Sequence, residues 1–243
     1  VAVSSVLPGT ILCAAIVCAP SVNAADGRSL VFDAYRSGVK IGTHTLRFVQ
    51  EGDKLLVDIS IEFKGKAFFI PFSYSHMNRE VWQGQKLISL DSRTISNGKT
   101  STLQARAEGN MLKLVINGNP GLVPQMFSTS YWNGDTLSQK RLLNSQKGDV
   151  IELKLEGKVQ VRAPKTDGTF VPATEYRKTG TNKFNIAVQY DNKGCLVGMN
   201  FKAPRDVTRI SYKLVARPSA VEAPDLLANS ALQPCLDTAK KPA

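Results

Sequence analysis

Histidine and tryptophan each occur only twice in these 243 residues, and cysteine four times. That scarcity excludes a good deal. Cys13 and Cys18 sit in the opening stretch, so Cys195, Cys235, His44 and His76 are what remains for a soft metal. Such a set is too small and too scattered for a zinc site, and no metal is expected. No GxSxG, HExxH, CxxC or phosphate-cradling glycine loop occurs, so the familiar hydrolase, metalloprotease, redox and nucleotide-binding signatures are missing. No cofactor is expected either. Paired carboxylates of the glycosidase kind leave no sequence signature, so a hydrolase of unknown class stays among the alternatives.

Long apolar runs are also lacking. Residues Ile11 to Ala19 form the one marked run, far short of the roughly 20 residues that span a membrane as a helix. With Pro20 and the small-residue ending Val22-Asn23-Ala24 after it, this stretch has the pattern of a cleaved export signal over residues 1–24. The mature chain is then expected to begin near Ala25, in the periplasm. An uncleaved anchor is the alternative, since no Lys or Arg precedes Arg28. A lipoprotein is disfavoured because Leu12 and Val17, just before the two early cysteines, are too large for a lipobox.

Acidic residues are outnumbered, 20 Asp and Glu against 31 Lys and Arg, for a net charge of +11. The basic residues are scattered, so they favour contact with an anionic membrane or envelope polymer without drawing a nucleic-acid stripe. In an exported chain the even pair Cys195 and Cys235 is expected to form a disulfide that pins the Pro- and Ala-rich tail, residues 218–243.

What the chain has in abundance is alternation. Leu30–Arg36, Ile41–Gln50, Leu55–Phe63, the two segments of Phe68–Ile95 folded back at Gln83-Gly84, Thr100–Ala107 and Met111–Ile116 are predicted as consecutive strands, with Asn97-Gly98 as a type I′ turn. Asn117 to Gly121 is expected as a loop. Met126 to Asn144 breaks the pattern, and Asp135 is placed to cap a short helix through Leu143. Strands resume at Val150–Leu155, Lys158–Arg162, Thr169–Arg177, Phe184–Tyr190, Cys195–Phe201 and Thr208–Val215. The expected fold is all-β. It is a single curved antiparallel meander over residues 25–217, forming a half-open or closed barrel with one short helix and a loose tail. A membrane-spanning barrel is disfavoured, because charge falls on nearly every second position and no apolar outer band appears.

The Phe68–Ile95 hairpin carries the densest aromatic cluster. Phe68, Ile70, Phe72 and Tyr74 share one face, which then turns polar through His76, Asn78 and Glu80 before Trp82. A gradient of that kind is expected where the interior of a curved sheet opens toward water. A two-residue loop at Gln83-Gly84 would set His76 opposite Asp91, a pairing suited to a general base and its orienting carboxylate. A four-residue loop would set Asn78 against Asp91 instead. His44 is expected to face solvent or a neighbouring strand. Tyr131, Trp132 and Asn133 suit a lid, a pocket rim or an interface anchor, or else a plug at one end of the barrel.

Gly38 to Thr45 (GVKIGTHT), Glu80 to Thr94 (EVWQGQKLISLDSRT) and Thr129 to Asn133 (TSYWN) together resemble a family of exported proteobacterial proteins built on a domain of unknown function. The resemblance spans roughly Leu30 to Tyr212 and implies compartment and fold, but no chemistry. A looser likeness, of architecture alone, is to periplasmic lipid and lipoprotein carriers. The functional expectation is a binding protein that holds an apolar ligand or lipid against Phe68, Ile70, Phe72, Tyr74, His76, Tyr131, Trp132 and Asn133. A non-catalytic envelope interaction module with a filled core is the alternative.

Overall fold

The computed structural model describes residues 26–67, 70–202 and 209–239. The expected leader, residues 1–24, and Phe68 lie outside the described residues, and Ile70 enters only as the first residue of a strand. Fourteen strands follow one another: β1 (Ser29–Arg36), β2 (Val39–Glu51), β3 (Lys54–Ala67), β4 (Ile70–Gln83), β5 (Lys86–Ser96), β6 (Lys99–Glu108), β7 (Met111–Ile116), β8 (Asn119–Pro124), β9 (Arg141–Leu143), β10 (Val150–Pro164), β11 (Phe170–Gly180), β12 (Phe184–Asp191), β13 (Leu196–Lys202) and β14 (Arg209–Ala216). All belong to one antiparallel sheet, ordered β8-β7-β6-β5-β4-β3-β2-β1-β14-β13-β12-β11-β10-β9.

The sheet is not closed into a barrel, since its edge strands β8 and β9 do not pair with each other. It is nonetheless strongly curved. Phe63 on β3 and Tyr212 on β14 lie three strands apart, which would be about 14 Å in a flat sheet. Their ring centroids are 6.3 Å apart. Glycine permits one tight passage in this curl. A β-carbon on Gly42, where β2 passes Phe63, would run into the Glu62 carbonyl oxygen. At the far end the sheet curls again, and Thr166 beyond β10 donates its backbone N–H to Leu214 of β14 at 3.0 Å.

Between the two limbs runs a strap, residues 125–149. Phe127 to Thr129 pair in parallel with Leu143 of β9, through Leu143 N–H to the Phe127 carbonyl (2.8 Å) and Thr129 N–H to the Leu143 carbonyl (3.0 Å). The helix expected through Leu143 is only a 3-10 turn, Gly134–Leu137, capped by the Asn133 side chain. Arg141–Leu143 is extended because its backbone is taken up by β10 and by this parallel step. The expected loop at Asn117–Gly121 likewise becomes a turn followed by β8, an edge strand that tolerates Pro120 and Pro124.

The core is aromatic at both ends. Trp82 meets Phe127, Trp132 meets both Trp82 and Phe48, and all four rings are buried. At the other end Phe32, Phe63, Tyr74, Phe201 and Tyr212 form a second cluster. The tail is fastened rather than trailing over its described length. Cys195 and Cys235 are disulfide-bonded. Ser219 bridges Asp237, and the Arg28 guanidinium grips both Asp225 oxygens at 2.7 and 2.8 Å.

Candidate functional site

The strand pairing fixes what the interior holds. One rung runs Phe32–His44–Ile61–His76–Thr94 across β1 to β5, and the next two pass through Leu46–Ile59–Asn78–Ser92 and Phe48–Val57–Glu80–Leu90. Alternate residues of β4 therefore line the inside, as the spacing predicts. The inside is not open to water there, however. His76, Asn78 and Glu80 are all buried, Glu80 with no exposed surface at all.

The strap supplies the reason. Glu80 accepts four hydrogen bonds: Asn78 Nδ2 (2.8 Å) and Ser128 Oγ (2.6 Å) on one oxygen, Trp82 Nε1 (2.9 Å) and Ser130 Oγ (3.1 Å) on the other. Ser92 donates to the Ser145 carbonyl at 2.5 Å. Thr94 donates to the Gln146 carbonyl at 3.4 Å, and its oxygen lies 2.9 Å from His76 Nδ1. On its other side the strap is held by β11 and β12. Lys178, buried and with its pKa lowered by burial, donates to the Thr136 and Leu137 carbonyls, and the Tyr190 hydroxyl donates to the Tyr131 carbonyl at 2.6 Å.

The His76–Asp91 pairing does not form. The loop residues are Gly84 and Gln85, and a bulge between Val81 and Trp82 adds a residue to the register, so His76 faces Thr94 and Asp91 faces Arg79. Asp91 points to the outer face and pairs with Arg106 at 2.7 Å.

The residues singled out from the sequence fall into two groups. Tyr131, Trp132 and Asn133 go to the tryptophan end, where Tyr131 adopts a left-handed backbone (φ 59°) and Trp132 fills the core. Phe72, Tyr74 and His76 go to the other end. Three residues that sequence reasoning did not place there join them: His44, Phe63 and Tyr212. His44 is 4% exposed, not solvent-facing. Its phase with Leu46 and Phe48 on β2 was the available signal, because both are core residues.

Buried polar atoms without a hydrogen-bond partner occur in both groups: the Tyr131 hydroxyl and Trp132 Nε1 at the tryptophan end, and three atoms in the second group. Neither ring nitrogen of His44 has a hydrogen-bond partner, nor does the Tyr74 hydroxyl, though all three atoms are buried. The His44 ring sits edge-on to Tyr212 at 5.4 Å and 6.2 Å from Phe32, while Tyr74 stacks on Phe63 at 5.6 Å. Burial lowers the His44 pKa to about 3, with repulsion from His76 adding to it wherever His76 is protonated, and lowers that of His76 to about 4. Burial also raises the Tyr74 pKa. All three side chains are therefore neutral near pH 7, able to exchange hydrogen bonds with a polar group but not to hold an ion pair. Among the described residues no group of three or more His, Cys, Asp and Glu converges to hold a metal.

A separate cleft of about 490 Å³ opens on the outside, walled by the Asn133–Asp135 segment, the β12–β13 turn and tail residues Ser230 to Pro234, with Tyr176 and Tyr190 within it.

No curated protein matches the sequence. Among solved structures, the chain is similar to a beta-barrel-like protein of the domain of unknown function DUF1849 from Brucella abortus, with a TM-score of 0.54 at 10% identity, over 77% of this chain and 95% of that one. At that identity the likeness shows a beta-barrel-like fold and nothing finer. The family model for the domain of unknown function DUF6134 matches residues 32–215, and the chain belongs to that family.

Proposed function

We propose that the protein is an exported binding protein that holds a lipid-like guest, apolar in body with one polar group, at the end of its interior lined by Phe63, Phe72, Tyr74 and Tyr212. The observation that carries this reading is the set of orphaned polar atoms. An unmade hydrogen bond on a buried donor or acceptor costs about 1–3 kcal/mol. Three such atoms, on His44 and Tyr74, lie in one aromatic cluster. A guest's carbonyl, hydroxyl or protonated carboxyl would satisfy them, while the surrounding rings take its hydrocarbon.

The test is native mass spectrometry and solvent extraction of the chain purified from the periplasm. The expected result is a co-purifying amphiphile that is lost in His44→Phe and Tyr74→Phe with folding retained. Wild-type protein that carries no amphiphile and takes up none when offered a fluorescent fatty acid would refute the reading.

A second reading rests on the opposite end. Trp82, Trp132, Phe48 and Phe127 leave the strap locked into the sheet, which suits a filled-core module that works through its surface. Under that reading the extraction is clean and a partner protein is retained instead.

A further inference from the structure

The exposed end of the β10–β11 hairpin carries a ladder in which two cations are laid on aromatic rings, an arrangement that Lys213 on Tyr35 also shows elsewhere. Three pairs face each other in turn: Arg162 with Pro172, Gln160 with Thr174, and Lys158 with Tyr176. The Arg162 guanidinium lies 4.7 Å above the ring of Phe170, and the Lys158 ammonium 5.4 Å from the ring of Tyr176. Between them Gln160 Nε2 donates to Thr174 Oγ1 at 3.0 Å. Phe170 is 50% exposed, a large ring left open to solvent.

The charges on this hairpin are not alike. Lys154 pairs with Glu156, and Lys165 pairs with Asp167. Among the described residues no carboxylate pairs with Lys158 or Arg162. Their only partners are ring faces, so each keeps a full positive charge beside an apolar surface. Among the described residues, β10 has no strand partner other than β11 between Lys154 and Pro164, so this ladder lies along an edge left open between the Leu153–Lys140 bond and the Lys165–Leu214 bridge. Tyr176 belongs to the ladder and to the outer cleft alike, and Lys193 stands on the far wall of that cleft. The cleft's Asp191 is already neutralised by Arg217 at 2.7 Å.

We propose that this ladder and the cleft it leads into bind the chain of an acidic polysaccharide. Two aromatic rings, Phe170 and Tyr176, flanking the hydrogen-bonding pair Gln160 and Thr174 along a strand suit a linear polymer of saccharide rings, whose C–H faces stack on aromatics and whose hydroxyls meet Gln160 and Thr174. The two cations then meet carboxylates or sulfates carried at intervals along it. A bilayer fits less well, because it presents a plane and cannot follow the ladder into a recessed cleft. An acidic peptide would use the cations but leave the ring faces without stacking partners. The inference is independent of the interior guest, since none of these residues lines the interior cluster.

The experiment is calorimetric titration of the full purified chain with polygalacturonate oligomers, uncharged dextran, poly-glutamate and phosphatidylglycerol vesicles. Two variants accompany it, the Lys158→Gln/Arg162→Gln double substitution and Phe170→Ala, each checked for an unchanged melting curve. The expected result is polygalacturonate binding that weakens with added salt, falls about tenfold or more in each variant, and is matched by none of the other three probes. The proposal is overturned if polygalacturonate does not bind, if the variants bind it as the wild type does, or if dextran, poly-glutamate or vesicles bind equally well.

Discussion

Glu80 and Ser128, far apart in the chain, share a 2.6 Å hydrogen bond where essentially no solvent reaches either side chain. This bond joins the strap to the sheet. Around it, Asn78, Trp82 and Ser130 complete the shell of the carboxylate, so the polar face of β4 is buried with its charge fully solvated by protein. The carboxylate's own shell is filled, which is what makes its burial tolerable, although Asn78 Oδ1 beside it has no partner.

Removing its centre leaves the Asn78 amide, the Trp82 indole and at least one of the two serine hydroxyls without an acceptor, since Ser128 Oγ and Ser130 Oγ lie 2.9 Å apart and can bond each other. Glu80→Ala is therefore expected to destabilise the chain by roughly 2–4 kcal/mol, since hydrogen bonds to a charged group are each worth about 1.5–3 kcal/mol before relaxation. Ser128→Ala, which keeps three of the four bonds, is expected to cost about 1–2 kcal/mol. Urea unfolding followed by tryptophan fluorescence measures both, because Trp82 and Trp132 lie at this seam.

The buried histidines make stability fall on the acid side. In the folded chain the His44 and His76 pKa values are lowered to about 3 and about 4, whereas the unfolded chain takes up protons near the ordinary 6.5. Stability is thus intact above pH 6.5 and is lost as pH drops toward 4, by about 1.4 kcal/mol per pH unit for each ring. The Asp225 carboxyl, held low by its hydrogen bonds to Arg28, stays ionised in the upper part of this window and adds no slope there. Unfolding midpoints between pH 7 and pH 5 should show the trend, and His44→Phe should reduce its slope by about half.

The disulfide closes a separation of 40 residues. In the chain-entropy model its loss costs about 4 kcal/mol. Cys235→Ser is expected to lower the denaturant midpoint accordingly and to free the tail wall of the outer cleft. Limited proteolysis between Pro218 and Asp237 reports the second effect, with cleavage rising in the variant.

Gly42 tests the curl of the sheet itself. With the Glu62 carbonyl in the way of any β-carbon, Gly42→Ala must push β2 away from β3. A loss of about 2 kcal/mol or more is expected. Faster amide exchange around residues 60–63 would locate it.

Much of the sheet was legible from alternation alone. The first seven strands, the Asn97-Gly98 turn and the Cys195–Cys235 bond all follow from local pattern or cysteine count. The failures share one cause, which is distance along the chain. His76, Asn78 and Glu80 look like a face that meets water because the strap that covers them comes some 50 residues later: Ser128 and Ser130 bond Glu80, and the Gln146 carbonyl takes the hydroxyl of Thr94, the neighbour of His76. The turn falls at Gly84-Gln85 rather than Gln83-Gly84, which alone carries His76 past Asp91, and the Val81–Trp82 bulge, which leaves no mark in the residue types, moves it one residue further to Thr94. Asp135 and the leucines after it have helical spacing, but β10 claims Arg141–Leu143 as a strand. The interior site was half-visible. Phe72, Tyr74 and His76 came from one strand, whereas His44, Phe63 and Tyr212 reach them only through the curvature of the sheet.

The most direct measurement is the nitrogen-15 NMR spectrum of the two imidazole rings while a fatty acid or lysophospholipid is titrated in. The guest reading predicts that His44, whose ring nitrogens have no partner, shifts strongly as one of them gains a hydrogen bond, and that Tyr74→Phe weakens the titration. A His44 signal that stays fixed through saturating amphiphile would contradict it.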